Sequence, residues 1–438
     1  MNQATKTKPV REQHHESAQG QQLVFDGGQD LQTILSEGYL YAVKLRGVDQ
    51  PHFFVFNTLT YSASPVQRLT GTTLQGITIE ITPDTIDRIN SISVTDLPGE
   101  ALPALVTELC EAITTAPQRL PPEELAAILD RAPTTVDTTD LVFLTRRYLE
   151  HRPETLSQLG PPVTEFVVRT DGLGGTLVLK QITAIAQEEP AAVAPIVDDL
   201  AGIVQSQGGA AVEPIKHVAE DDPEAVLDAI PALAAAADGD QGMRRQLVYT
   251  FTRVAQAYPE ALLPTVDTLT TALNDDTANI QINALSALGR IASHYPDIGA
   301  DIVNPVASLV KHDNAQLRGN AVGLLADTAQ AHPAAVLAHA PAIVERLRDT
   351  DASVRQNAAM ALNRAGRADP SVIQDYGDRL QEMLTDDSAT VRATVCTLIG
   401  NAGVDVPAER LRELRSNDPD GTVREQAAYA LSARSNRS

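Results

Sequence analysis

The chain of 438 residues carries 57 acidic against 34 basic side chains, a formal net charge of −23, two cysteines and no tryptophan. That length exceeds what one ordinary core serves, so it implies several domains or a repeat array. Two cysteines exclude a disulfide framework and a usual four-ligand zinc site, and an acidic chain without a basic stripe excludes nucleic acid as the main partner.

The first 21 residues are polar, without apolar periodicity or a signal core, and read as a disordered tail. No run of 18 apolar residues occurs, so the expectation is a cytoplasmic protein without membrane contact. Only six basic residues are lysines and 28 are arginines, while Asp exceeds Glu by 34 to 23. This balance resembles that of salt-in halophilic archaea, where molar salt cuts the Debye length to about 3 Å and removes the self-repulsion of the carboxylates.

From 22 to 97 the texture changes: seven of the sixteen Phe and Tyr residues fall within 25–61. YLYAVKL and HFFVFNTL read as strands joined through RGVDQP, and LQGITIEI as a third. DLQTILSE and PDTIDRINS read as helices, the latter capped by Thr82 or Asp84. A small α+β domain is expected. Tyr39, Tyr41, Phe54 and Phe56 read as core residues, with a partner-facing aromatic surface or an exposed sheet edge as the alternatives.

Residues 98–222 read as degenerate helical repeats and 223–434 as regular ones. Prolines mark the period: Pro259, Pro296, Pro333, Pro370 and Pro407 are each 37 residues apart, and Pro117, Pro153, Pro190 and Pro223 precede them at spacings of 33–37. Each suits the first turn of a helix, where a missing N–H costs nothing. Sixteen residues before the later prolines stand Met243, Ile280, Leu317, Val354 and Val391, with Val423 in the last unit. Apolar residues at +4 and +8 from these anchors complete a helical stripe. Leu269, Val306, Ile343 and Leu380 anchor the unit's earlier helix. Between the two helices lies an acidic turn (NDDTAN, HDNAQ, DTDAS, DDSAT, NDPDGT) fitted to cap the second helix. Its Asp-x-Asp elements lack the glycine and distal glutamate of a calcium loop. Cys110 and Cys396 sit in apolar helical runs and read as buried thiols. The glycines of DGLGG (171–175) fall where an inter-helix turn belongs and lack a preceding strand.

Directly after the anchors come Arg244, Arg318, Arg355, Arg392 and Arg424, with Gln281 as the exception. Through the acidic turn and the pattern in DASVRQNAAMAL, SATVRATVCTLI and GTVREQAAYAL, the chain resembles the HEAT repeat family, in the short form found in bilin lyases. The resemblance covers about 220–435. It implies a mainly α fold, a right-handed α-solenoid of HEAT-like helix pairs preceded by the small α+β domain. It also implies a ladder of ion pairs between adjacent repeats, with Asp351 and Arg355, Asp387 and Arg392, and Asp420 and Arg424 as members in a structural role.

Three residues after each anchor runs a polar column, Asn283, Asn320, Asn357, Thr394 and Gln426, placed for groove-facing contacts or for inter-helix hydrogen bonds. No HExxH, GxSxG, P-loop or Cys–His cluster occurs, so no catalytic, cofactor or metal residues are assigned. The function expected is a non-enzymatic protein–protein interaction scaffold whose concave surface holds another protein. The alternative is a ligand-sensing or catalytic module in 22–97 with the solenoid as its docking arm.

Overall fold

A computed structural model of the chain describes residues 39–63, 66–132, 136–170, 172–237 and 239–437. The expected tail, Phe25 and the helix over DLQTILSE lie outside the described residues. The chain is mainly α-helical, a solenoid of helix pairs, and among the described residues six strands precede the α-helices. It divides into two compact units, up to Ile185 and from Ala186 onward.

In the first unit, β1 (Leu40–Leu45) lies between β2 (His52–Val55) and β6 (Ile86–Ser91) in one antiparallel sheet. A second sheet joins β3 (Leu59–Ser62), β4 (Arg68–Thr72) and β5 (Thr78–Ile81). Tyr41, Val43, Phe54, Leu69, Ile81, Ile86 and Ile89 form their common core. Tyr39 is buried as well, and Phe56 lies half-buried against that core, so these aromatics serve packing.

The expected helix over PDTIDRINS is instead a turn followed by β6. Ile86 and Ile89, three apart, imitate a helical stripe. In the ladder with β1, Leu45 faces Ile86 while Lys44 faces Arg88, so the register shifts by one residue at Asp87. That irregularity returns Ile86 and Ile89 to the same face, which unbroken alternation would forbid.

The helices that follow are α1 (Leu102–Ala112), α2 (Pro122–Arg131), α3 (Thr138–His151), α4 (Leu156–Arg169) and α5 (Leu173–Glu188). Glu124 in the first turn of α2 gathers three donors on one oxygen. They are the Tyr39 hydroxyl at 3.0 Å, the Val94 amide at 2.8 Å and the Ser93 hydroxyl at 3.2 Å. Arg131 at the end of α2 donates to the carbonyls of Val94 and Leu97. These bonds tie the sheet segment to the first helices. Leu173, Gly174 and Gly175 open α5, and a Cβ on Gly174 would fall 2.4 Å from the Thr170 side chain.

In the second unit each repeat ends in a long helix. These are α6 (Gly209–Asp221), α7 (Gln241–Ala255), α8 (Ala278–His294), α9 (Ala315–Ala331), α10 (Ala352–Ala365), α11 (Ala389–Ala402) and α12 (Gly421–Ser435). They pack side by side in chain order. All six anchors are buried, as are the +4 and +8 residues except the half-buried Leu431. Most of the repeats' first helices begin at the period-marking prolines but are broken into short pieces, such as Pro296–Asp301 and Val303–Ser308; the last, Ala408–Asn417 after Pro407, is unbroken. A second proline explains many of the breaks. Pro231, Pro264, Pro305 and Pro341 withhold an N–H and crowd the preceding turn inside these segments.

Candidate interaction surface and the seam behind it

The acidic turn has two working positions. Four of the residues that precede a second helix cap it with their side chains: Asp240 accepts from Met243 N, Asn314 from Gln316 and Leu317 N, Asp351 from Ser353 and Val354 N, and Asp420 from Val423 N, whereas Thr277 before α8 and Ser388 before α11 make no such bond. Two residues earlier stand Asp275, Asp349, Asp386 and Asp418. One oxygen of each closes the turn by accepting the amide of the residue just before the helix, at 2.9, 3.1, 2.8 and 2.9 Å.

Each also meets an arginine from the preceding repeat, and Asp349 in addition lies 3.5 Å from Arg346 of its own repeat. Arg318 meets Asp349 through two parallel hydrogen bonds, Nε to Oδ2 at 2.7 Å and Nη2 to Oδ1 at 2.9 Å. Arg355 meets Asp386 at the same distances, and Arg392 meets Asp418 at 2.8 and 2.9 Å. The third guanidinium nitrogen donates back into the arginine's own turn, as from Arg355 Nη1 to Asp349 O at 2.9 Å. Arg244 makes the looser version, with Nε and Nη2 both 3.2 Å from one oxygen of Asp275. Paired two-nitrogen geometry is the strong form of the arginine–carboxylate contact.

The pairing differs from that implied by the family resemblance. Asp351 and Asp420 are helix caps, not arginine partners. Arg355 takes Asp386 together with the exposed Asp387, at 2.5 Å from the latter. Arg392 reaches forward to Asp418, and Arg424 donates to the carbonyls of Asp418 and Pro419 in its own turn. The reason is stagger: an arginine on the first turn of a second helix lies nearest the following repeat's turn. The members that went unassigned, Asp275, Asp349, Asp386 and Asp418, carry a sequence signal in their fixed place two residues before the cap.

Electrostatics follow the geometry. Hydrogen bonds from Arg318 and Arg392 hold Asp349 and Asp418 below the usual carboxylate range. Burial acts to raise Asp386 and Asp275, but the bonds from arginine and from the backbone outweigh it and both are lowered. The same bonds raise Arg318, Arg355 and Arg392. The two thiols show the opposite balance, since burial pushes Cys110 and Cys396 up to about 12 and leaves neither as a thiolate near neutral pH.

The polar column is half-buried throughout. Asn357 Nδ2 donates to Gly319 O at 3.2 Å, and Gln426 accepts from Thr397 at 2.9 Å, so these two bridge neighbouring second helices. Thr394 turns back on its own helix, to Thr390 O at 2.8 Å. Asn283 takes part through its backbone carbonyl, which accepts from Thr252 at 3.0 Å. Asn320 lines an open groove of about 370 Å³ between α8, α9 and α10, with Ser286, Arg290, Ser293, Gly323 and Asn357. Among the described residues no group of three or more His, Cys, Asp and Glu is placed to hold a metal, and no helix is long and apolar enough to cross a membrane.

Residues 240–410 match the family model described as the adaptin N-terminal region. A search of curated proteins finds none that matches. Among solved structures, the chain is similar to UNC-45 from Drosophila melanogaster, at 12% identity over 78% of this chain and 55% of that one, with a TM-score of 0.47. It is similar to a Kap121p mutant at 14% identity, covering 77% of this chain and 43% of that one, TM-score 0.37. An engineered protein is matched at 18% identity over 59% of this chain and 96% of that one, TM-score 0.34. The chain thus spans about half the length of the two larger structures.

Proposed function

We propose that the chain is a non-enzymatic protein-interaction scaffold, and that the surface formed by α7 to α12 holds an extended or helical segment of another protein. The observation that carries this reading is the division of labour between the two polar columns. The Asp and Arg residues are consumed in joining repeats, while Asn320 lines an open groove together with Ser286, Arg290 and Ser293. The adaptin-like match over 240–410 supports the same reading. Affinity capture from native lysate, comparing the unaltered chain with Ser286→Arg/Asn320→Arg, tests it. A partner retained by the first and lost by the second is expected; the same recovered proteins with both would sink it.

The acidic balance belongs with a high-salt cytoplasm, where no nucleic acid or membrane partner is expected. Helicity followed by circular dichroism should rise between 0.1 and 3 M KCl, since a net charge of −23 repels itself until screened. Full helicity at 0.1 M KCl would remove the halophilic part of the proposal.

A further inference from the structure

We propose that the joint between α8 and α9 is a hinge in the repeat array. The first observation is a coupled replacement. Gln281 stands in the column of Arg244, Arg318, Arg355 and Arg392, and His312 stands in the column of Asp275, Asp349, Asp386 and Asp418. These two positions are 31 residues apart, as Arg318 and Asp349 are. Both are satisfied inside their own repeats instead. Gln281 Nε2 donates to Leu273 O at 2.9 Å, and His312 Nδ1 accepts from Asn314 N at 3.0 Å.

The second observation is what crosses each joint. Among the described residues, no side-chain hydrogen bond or ion pair joins 259–295 to 296–332; contacts there such as His332 with Asp297 stay within one repeat. Every other joint from α6 onward has at least one. Gln246 meets Glu213 across α6 and α7. Arg244 meets Asp275 and Gln241 meets Thr277 across α7 and α8. Across α9 and α10, Arg318, Asn357, Arg364 and Arg367 all reach over. Arg355 and Asn401 span α10 and α11, and Arg392, Thr397 and Arg437 span α11 and α12.

The third observation lies on the opposite edge of the same joint, where Gly289, Gly319 and Gly323 line the groove. A Cβ on Gly289 would meet nothing within 4 Å, and one on Gly319 only the Val354 side chain at 3.6 Å. Packing does not demand these two glycines, which are destabilising inside a helix relative to alanine. Buried Ala284, Leu288 and Ile291 still hold α8 in the stack. Apolar burial is non-directional and holds surfaces together without fixing their angle; the ladder's directional bonds fix it elsewhere. This joint is held but not oriented, the condition for sliding or rotation of packed helices.

The inference does not rest on the proposed partner surface. Spin-label distance distributions in the full chain at high KCl test it, in a Cys110→Ser background with buried Cys396 left in place. Asn279→Cys with Ser353→Cys spans the bare joint and its neighbour, whereas Gln316→Cys with Thr390→Cys spans two laddered joints. All four positions are exposed. The expected result is a broader distribution for the first pair. Gln281→Arg with His312→Asp should narrow the first to the width of the second. Arg355→Gln with Asp386→His should broaden only the second. Equal widths in the otherwise unaltered chain overturn the proposal, as does a failure of both ladder exchanges to change the widths.

Discussion

In the sheet pair, Tyr41, Phe54, Leu69, Ile81, Ile86 and Ile89 converge on one interior from positions up to 48 residues apart in sequence. In the repeats, each second helix buries one stripe against its own first helix and its nearest neighbours. A side chain in the first arrangement supports every strand at once. A side chain in the second supports one joint. The difference predicts how far damage spreads: through the whole sheet segment in one case, and across a single seam in the other.

The largest effect expected is that of Phe54→Ala, about 3–5 kcal/mol by loss of burial and creation of a cavity. Amide exchange should accelerate throughout 39–91 and stay unchanged beyond 278; acceleration confined to β2 would contradict a shared interior. Next comes the ladder. Arg355→Ala leaves Asp386 buried without its partner and should cost about 3 kcal/mol. Arg244→Ala should cost under about 1 kcal/mol, because Arg244 is 36% exposed and touches a single oxygen of Asp275. Denaturant midpoints of the two variants, measured side by side, decide whether paired geometry and burial set the strength of a joint.

At Glu124, replacement by Ala leaves the Tyr39 hydroxyl and the Val94 amide without their acceptor, an expected loss of about 2 kcal/mol. Exchange at Val94 reports it directly, and an unchanged rate there would break the link drawn between sheets and helices. The smallest effect is that of pH. Asp349, Asp386 and Asp418 have carboxyls lowered on folding, so their contribution is complete above the unfolded value of about 3.9 and is lost as pH falls through the folded one. The stability gap between the unaltered chain and Asp386→Asn should therefore stay flat from pH 8 to 5 and close below about 4. A gap that closes near neutral pH would mean that another group governs the seam.

The repeat was legible because its punctuation is one-dimensional: proline, apolar anchor and arginine recur at a fixed period, and each marks a local requirement. The partner of each arginine was not, because NDDT, DTD and DDS offer two carboxylates within three positions. Which one faces the preceding repeat depends on how the repeats stack. At β6, Ile86 and Ile89 carry helical spacing, and only pairing with β1 creates the irregularity that puts both indoors. β3 and β4 went unrecognised, since LTYS and RLTGT alternate without large apolar residues on both faces. In the polar column, the spacing identified a surface but not which amides it spends: Asn357 and Gln426 bridge helices, while Asn320 lines the groove.

The broken first helices carry a consequence for how the array forms. Pieces as short as Pro296–Asp301 and Val303–Ser308 lie well below the roughly 12 residues an isolated helix needs in water, whereas α8 and α9 run to 17 residues each. The second helices are therefore the natural nuclei of folding. The first-helix pieces can order only on a template already laid down on either side, so growth of the array advances by zippering from one long helix to the next.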